Sequence, residues 1–358
     1  NPTFAPTGAS LASPSVINAP RVLAVGGGVF FNGANESLSV GPNGFGAYAE
    51  NGHDLSLNLT AGSSLQIGGA TGFSGSSISS AAFNGGDAQS ISGKVGGNGG
   101  TFNANVDGDI VVLSPISATT GANSLDLPYG GQGGSVNLSS ATGTVVVNSS
   151  IDVSSAQTGR RSASGGSIKL QSGKVTGVAI AVGNSGGLRA LLDASAPGLG
   201  GKVELVSAGG DINVGGLIQA DRGLVDIRNN GVAGVINLQD GHSLRADIVK
   251  VGALGNNGVL NVGAGNISAD TQLKLYAGGT NGTVNFVNNA NLSGAGAKVI
   301  AGKTINVQLG RTVTVSGGAA VFHTDNPNYN GAGVSGRPSF GAVSGSATTQ
   351  SHASRPAF

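Results

Sequence analysis

Gly133-Gly134-Ser135-Val136-Asn137-Leu138, then Gly143-Thr144-Val145-Val146-Val147, then Ile151-Asp152-Val153-Ser154-Ser155: this run sets the fold. Apolar residues alternate with small polar ones in each piece, the period of a strand with one buried face, and Gly, Asn and Ser turns bound it. The same order recurs on both sides. Gly99-Gly100-Thr101-Phe102-Asn103-Ala104 leads into Asp109-Ile110-Val111-Val112 and Ile116-Ser117-Ala118. Gly165-Gly166-Ser167-Ile168-Lys169-Leu170 opens a third unit. Gly200-Gly201-Lys202-Val203-Glu204-Leu205 opens a fourth, running into Asp211-Ile212-Asn213-Val214 and Leu217-Ile218-Gln219-Ala220. The template is Gly-Gly-x-Val-x-Leu, a gap, x-Ile-x-Val, a gap, then Ile-x-Ala/Val. It repeats every ~24 to 35 residues, the longer units carrying loop insertions.

One such unit cannot bury its aliphatic face alone, so units must stack on one another. Three short strands per unit predict an all-β chain, a parallel β-solenoid (β-helix) with inward aliphatic columns and glycine at the corners, where tight bends need positive φ. The alternation continues through Leu224-Val225-Asp226-Ile227, Val235-Ile236-Asn237-Leu238, Val259-Leu260-Asn261-Val262, Val284-Asn285-Phe286 and Thr304-Ile305-Asn306-Val307. Leu55-Ser56-Leu57-Asn58-Leu59 and Leu65-Gln66-Ile67 precede it. The expected solenoid spans residues 41–325 in roughly 12 coils, about 60 Å long at ~4.8 Å per stacked strand. No stretch has a sustained 3.6-residue period, and this much Gly, Val, Thr and Asn makes poor helix.

Composition excludes several chemistries. Glycine supplies 66 of 358 residues and charged residues only 10%; Cys, Met and Trp are absent. No disulfide scaffold, thiol enzyme or cysteine-held metal is available. A net charge of +1 provides no field for gripping nucleic acid, and no apolar run reaches the roughly 20 residues that span a bilayer. A chain opening Asn1-Pro2 with no methionine implies a removed leader and, with zero cysteine, export to the cell surface of a bacterium.

The Gly-Gly-x-Val-x-Leu…Ile-x-Val…Ile-x-Ala-Ser unit resembles the repeats of filamentous-haemagglutinin-like bacterial exoproteins, the β-helical adhesins of two-partner secretion, over roughly residues 95–315. The resemblance implies a β-helical fold, export and an adhesive role. Gly41-Pro42-Asn43-Gly44-Phe45 partly matches the Asn-Pro-Asn motifs of the family's secretion domain.

The ends differ from the middle. Five of the 11 prolines lie in the first 42 residues and three in the last 32. This predicts an extended N-terminal segment over 1–40 and an extended Gly/Ser-rich tail over 326–358. Phenylalanine near proline recurs as Pro2-Thr3-Phe4, Pro338-Ser339-Phe340 and Pro356-Ala357-Phe358, the last ending the chain, and Tyr329 lies in the same tail. Val22, Leu23 and Val25 with Val29, Phe30 and Phe31 would cap the first coil or accept a strand from a neighbour, since open strand edges must be covered. These residues are the expected contacts of a homopolymer that assembles head to tail, a heterologous arrangement giving open filaments.

Catalytic motifs are sparse. Gly183-Asn184-Ser185-Gly186-Gly187 matches G-x-S-x-G without the helix that motif needs, and Lys303-Thr304 ends a P-loop-like run that opens a strand. Polysaccharide cleavage needs two carboxylates about 5–9.5 Å apart, and only Asp107 with Asp109, and Asp240 beside His242, come close in sequence. Turn roles suit these aspartates. The expectation is a non-enzymatic extracellular structural protein with no cofactor, metal, nucleic-acid partner or membrane insertion. The alternatives are a monomeric adhesin binding glycans or cell surfaces, marked by an aromatic or charged patch, and a β-helix polysaccharide-degrading enzyme, marked by paired carboxylates.

Overall fold

The computed structural model describes residues 97–121, 131–155, 163–183 and 190–324, with shorter stretches at 15–19, 30–32, 55–59, 64–68, 76–78, 80–82, 84, 342–344 and 347–351. Among the described residues all regular structure is β-strand, arranged in a 20-stranded and a 10-stranded sheet. The strand pairs are parallel, each repeat pairing with the next.

Each repeat supplies three strands. A first row holds Thr101–Val106, Ser135–Ser140, Ser167–Ser172 and Lys202–Ser207 in register. A second row, the 10-stranded sheet, holds Ile110–Val112, Val145–Val147, Val178–Val182, Asp211–Val214 and their successors through Thr304–Val307. A third row runs through Ile116–Ser117, Ser150–Asp152 and Leu191–Asp193. From Leu217 onward the third row runs straight into the first: Leu217–Asn229, His242–Ala253 and Gly265–Ala277 each serve both, which joins these rows into one sheet.

Register turns alternation into columns. Leu138, Leu170, Leu205, Ile227, Val251, Leu275, Val299 and Phe322 stack in the first row. Ile110, Val145, Ile180, Ile212, Ile236, Leu260, Val284 and Ile305 stack in the second. All are buried in one continuous core. Full burial of each such side chain stabilises by roughly 1.5–3 kcal/mol. Phe286 and Phe322 close the C-terminal part edge-to-face, 6.4 Å between centroids.

Polar groups brace the corners. Ser140, Ser172 and Ser207 form a buried column whose hydroxyls donate to the carbonyls of Gly108, Gly143 and Gly210 at 2.6–2.7 Å. Asn229 extends that column, donating to Gly210 and Val235 carbonyls. These bonds satisfy backbone oxygens that the turns would otherwise bury unpaired. Where the third row turns outward, Asp152 and Asp193 accept from the N–H of Ser154 and Ser195, two residues on.

The Gly-Gly pairs have a different cause from the expected positive φ. None of Gly133, Gly134, Gly165, Gly166, Gly200 and Gly201 is among the positive-φ glycines, which include Gly177, Gly241 and Gly310. The pairs are required by close approach. A Cβ on Gly166 would lie 2.0 Å from the carbonyl oxygen of Gly134, and one on Gly201 2.0 Å from that of Gly166. Successive backbones stack there with no room for any side chain.

Strands also form within the segments expected to be extended ends. Ser15–Ala19 pairs with Leu55–Leu59, and Phe30–Asn32 with Ser80–Ala82. Ala342–Ser344 and Ala347–Ser351 pair with Thr312–Ser316 and Ala320–Thr324.

Candidate functional site

The stacked glycine pairs floor an open groove of about 480 Å³ that crosses four repeats. Its rim is set by the residue following each pair: Thr101, Ser135, Ser167 and Lys202. The floor amides are already engaged. Gly134 N–H donates to Ala118, Gly166 N–H to Val153 and Gly201 N–H to Ala194, each within 2.7–2.9 Å. The groove therefore presents hydroxyls, one ammonium and backbone on a surface without bulk, a shape that suits an extended polar chain rather than a small apolar ligand. Sequence reasoning took the glycines as corners and missed the groove. The available signal was the hydroxylic residue after Gly-Gly in three successive units.

Charges collect on the outer side of the first row. Lys202 and Arg228 both reach Glu204 Oε1, at 2.8 and 2.9 Å, and Arg228 Nε lies 3.2 Å from Asp226 Oδ1. Burial still raises the Asp226 carboxyl above its ordinary value, outweighing the attraction of Arg228. Lys250, Lys274 and Lys298 continue the column in register. Burial first, then Lys250 and Lys298, pushes the Lys274 amine below its ordinary value.

On the outer side of the second row lies an asparagine ladder. Nδ2 of Asn237, Asn261, Asn285 and Asn306 each donates to Oδ1 of the asparagine one repeat earlier, at 2.8–2.9 Å, beginning at Asn213.

The acidic candidates brace backbone. Asp109 Oδ1 accepts from Thr144 N–H at 2.7 Å. Asp240 accepts from Ala264 N–H and Asn288 Nδ2. His242 turns inward, 1% exposed, with Nδ1 2.8 Å from the Gln239 carbonyl, and burial holds its imidazole below the ordinary value. Among the described residues no group of three or more metal-ligating side chains forms, and no helix is long and apolar enough to cross a membrane. Thr304 opens a strand, Thr304–Val307.

Of the expected assembly residues, Phe30 and Phe31 lie in the edge strand Phe30–Asn32. Pro2, Phe4, Val22, Leu23, Val25, Val29, Tyr329, Pro338, Phe340, Pro356 and Phe358 lie outside the described residues, as do Asn184 to Gly187 of the serine motif.

At both ends the sheets stop on strands that pair on one side only among the described residues: Ser15–Ala19, Phe30–Asn32 and Ser76–Ile78 at one, Thr304–Val307, Ala342–Ser344 and Ala347–Ser351 at the other. Ser76–Ile78 is out of sequential order. It follows Leu65–Ile67 in the chain but pairs on that strand's far side, ending the 10-stranded sheet. Compared with protein-family models, curated proteins and solved structures, the chain matches none.

Proposed function

We propose that the repeats are coils of a β-solenoid and that the chain is a non-enzymatic extracellular structural subunit, stacking head to tail into surface filaments or matrix fibres. The observation that carries this reading is the pair of open ends. All three rows run parallel, so the N-terminal edge of one copy extends the C-terminal edge of another without reversing any strand. Unpaired edges template such addition. Because the two edges differ, the contact is heterologous and does not close. Low charge and the absence of oxidisable sulfur suit a durable polymer outside the cell, and the repeat resemblance to filamentous-haemagglutinin-like exoproteins supports export.

Negative-stain electron microscopy of the full chain and of a chain lacking residues 326–358 tests the proposal. Fibres from the first and short single rods from the second are expected; fibres from both would sink the role of the tail, and rods from both would sink the polymer.

The glycine groove favours a second reading, adhesion to an extended glycan, in keeping with the resemblance. Glycan-array binding by the full chain that is lost in Ser135→Val/Ser167→Val would support it.

A further inference from the structure

Ionic side chains are unevenly distributed around the repeats. The first row carries Lys169, Glu204, Asp226 and the three stacked lysines on its outer side, and the third row carries Asp152, Asp193 and Arg245. The middle outward column of the second row carries none. Beyond Gln66, whose side chain is buried and donates to the Gly68 carbonyl, it runs from Val111 through Val146 and Ala181 into the five asparagines ending at Asn306. Asp109, Asp211 and the Lys174 ammonium, 2.8 Å from Thr144 Oγ1, lie at its entry rim, and at its exit rim Leu113 and Val287 are 40% and 44% exposed.

We propose that this outer side is a self-pairing surface on which a second copy of the chain docks, side by side and face to face. Four features of this surface point to a second copy. The surface is flat, because its side chains are short or β-branched and in register. It is uncharged along its middle, so like meets like without repulsion, as a two-fold contact requires. The ladder holds its amides in place before docking, so little rotamer freedom is lost on burial. Stacked asparagines and β-branched residues are also the kind of faces that pair as dry sheets about 10 Å apart.

The dimensions are sufficient. Eight strands at ~4.8 Å each extend about 40 Å, and four residues at ~3.3 Å span about 13 Å. Each copy therefore offers about 500 Å², or about 1,000 Å² for the pair, the threshold for a specific contact. A two-fold axis through the middle of the column, between Asn213 and Asn237, gives full overlap of two antiparallel rods. This contact is independent of the ends, so it stands or falls separately from axial stacking.

Two measurements test it. Light scattering of the chain lacking residues 326–358, which removes axial growth in the reading above, is expected to give twice the mass of one copy. Val111→Lys/Val146→Lys is expected to halve that mass with an unchanged far-UV circular dichroism spectrum, while Ser268→Lys/Ser293→Lys in the third row leaves it doubled. A mass of one copy for the parent, or equal loss in both variants, would overturn the assignment. If the truncated chain still polymerises, the same variants are read as filament width, double against single. Because the chain has no cysteine, a bis-maleimide spanning about 10 Å should join Asn213→Cys copies into a covalent dimer and leave Ser268→Cys copies single; no joining of the first, or equal joining of both, would also overturn it.

Discussion

Between Thr101 and Gly201 the chain leaves the third row through a loop and re-enters the first over a Gly-Gly pair, whereas between Lys202 and Thr324 it barely leaves at all. The corner after Ala220 takes Asp221-Arg222-Gly223, and the corner after Ala246 takes Asp247 alone. The repeats differ in length accordingly: 34 residues separate the hydrogen-bonded Asn103 and Asn137, but 24 separate Asn237 and Asn261. The aliphatic columns run through both regions unchanged, so the core does not distinguish them. What differs is how neighbouring repeats are locked outside the core. The loop-bearing region adds stacked Gly-Gly pairs, backbone directly on backbone, to side-chain bonds such as Asn103–Asn137. The tightly wound region keeps only single close glycines, such as Gly255 over Gly231, and adds the asparagine ladder and the Glu204–Arg228 ion pair. The first lock tolerates almost no substitution, and the second degrades one bond at a time.

Gly166→Ala should break the comparison most severely. Its Cβ would sit 2.0 Å from a backbone oxygen, so the repeats must separate, at a cost of about 3 kcal/mol or more. Gly296→Ala in the tightly wound region meets nothing within 4 Å and departs only from a φ of +89°, which costs about 1–2 kcal/mol. Urea denaturation of both variants gives the ratio. Equal losses would show that the glycine stack can relax and is not a lock.

Asn261→Ala removes the centre of the ladder, one donated and one accepted bond. Both atoms are half-exposed and water replaces them in part, so about 1 kcal/mol is expected. Asn105→Ala, which loses an exposed 3.0 Å bond to Asn58, should change the midpoint far less. A ladder that matters no more than this exposed pair would reduce the second lock to the core alone.

The three-strand repeat was legible in the sequence because alternation survives any loop length: Val136, Leu138, Val145, Val147, Ile151 and Val153 all face the core. The reason for Gly133-Gly134 was not legible. A glycine needed for φ and one needed for backbone clearance look the same in one dimension, and only the stacking of Gly134 on Gly100 separates them. The asparagines at 213, 237, 261 and 285 stood at a constant spacing, yet a ladder exists only if register puts each above the last. The groove needed the same register. The Asp-Gly-His run drew notice as chemistry, and the structure instead folds His242 into the core over Gly265.

That histidine makes the tightly wound region sensitive to acid. Burial is the chief cause of its depressed value, opposed by the Gln239 carbonyl and then by Asp240. The unfolded chain takes up a proton near pH 6.5 and the folded chain only below that. Stability is therefore complete above about pH 6.5 and falls as the pH drops through the window beneath it. The denaturation midpoint of the chain should decline across that window, and the decline should shrink in His242→Asn. An identical pH profile in the variant would assign the loss to other groups.

The smallest effect concerns Arg222, the one non-glycine residue at positive φ among the described residues, at 62°. It sits at the first tight corner, where the chain switches from glycine-paired to continuous winding, and its backbone packs over Gly200. A left-handed conformation costs a β-carbon-bearing residue about 1–2 kcal/mol, while glycine there gives back ~0.5–1 kcal/mol through the freedom of the unfolded chain. Arg222→Gly should therefore stabilise by roughly 0.5–1 kcal/mol, and the neighbouring Arg245–Asp221 pair at 2.9 Å is left intact. Asp247→Gly at the next corner, where φ is not positive, should instead destabilise by about the same amount. Opposite signs at two successive corners would locate the strain of the transition at Arg222; equal signs would spread it along the whole tightly wound region.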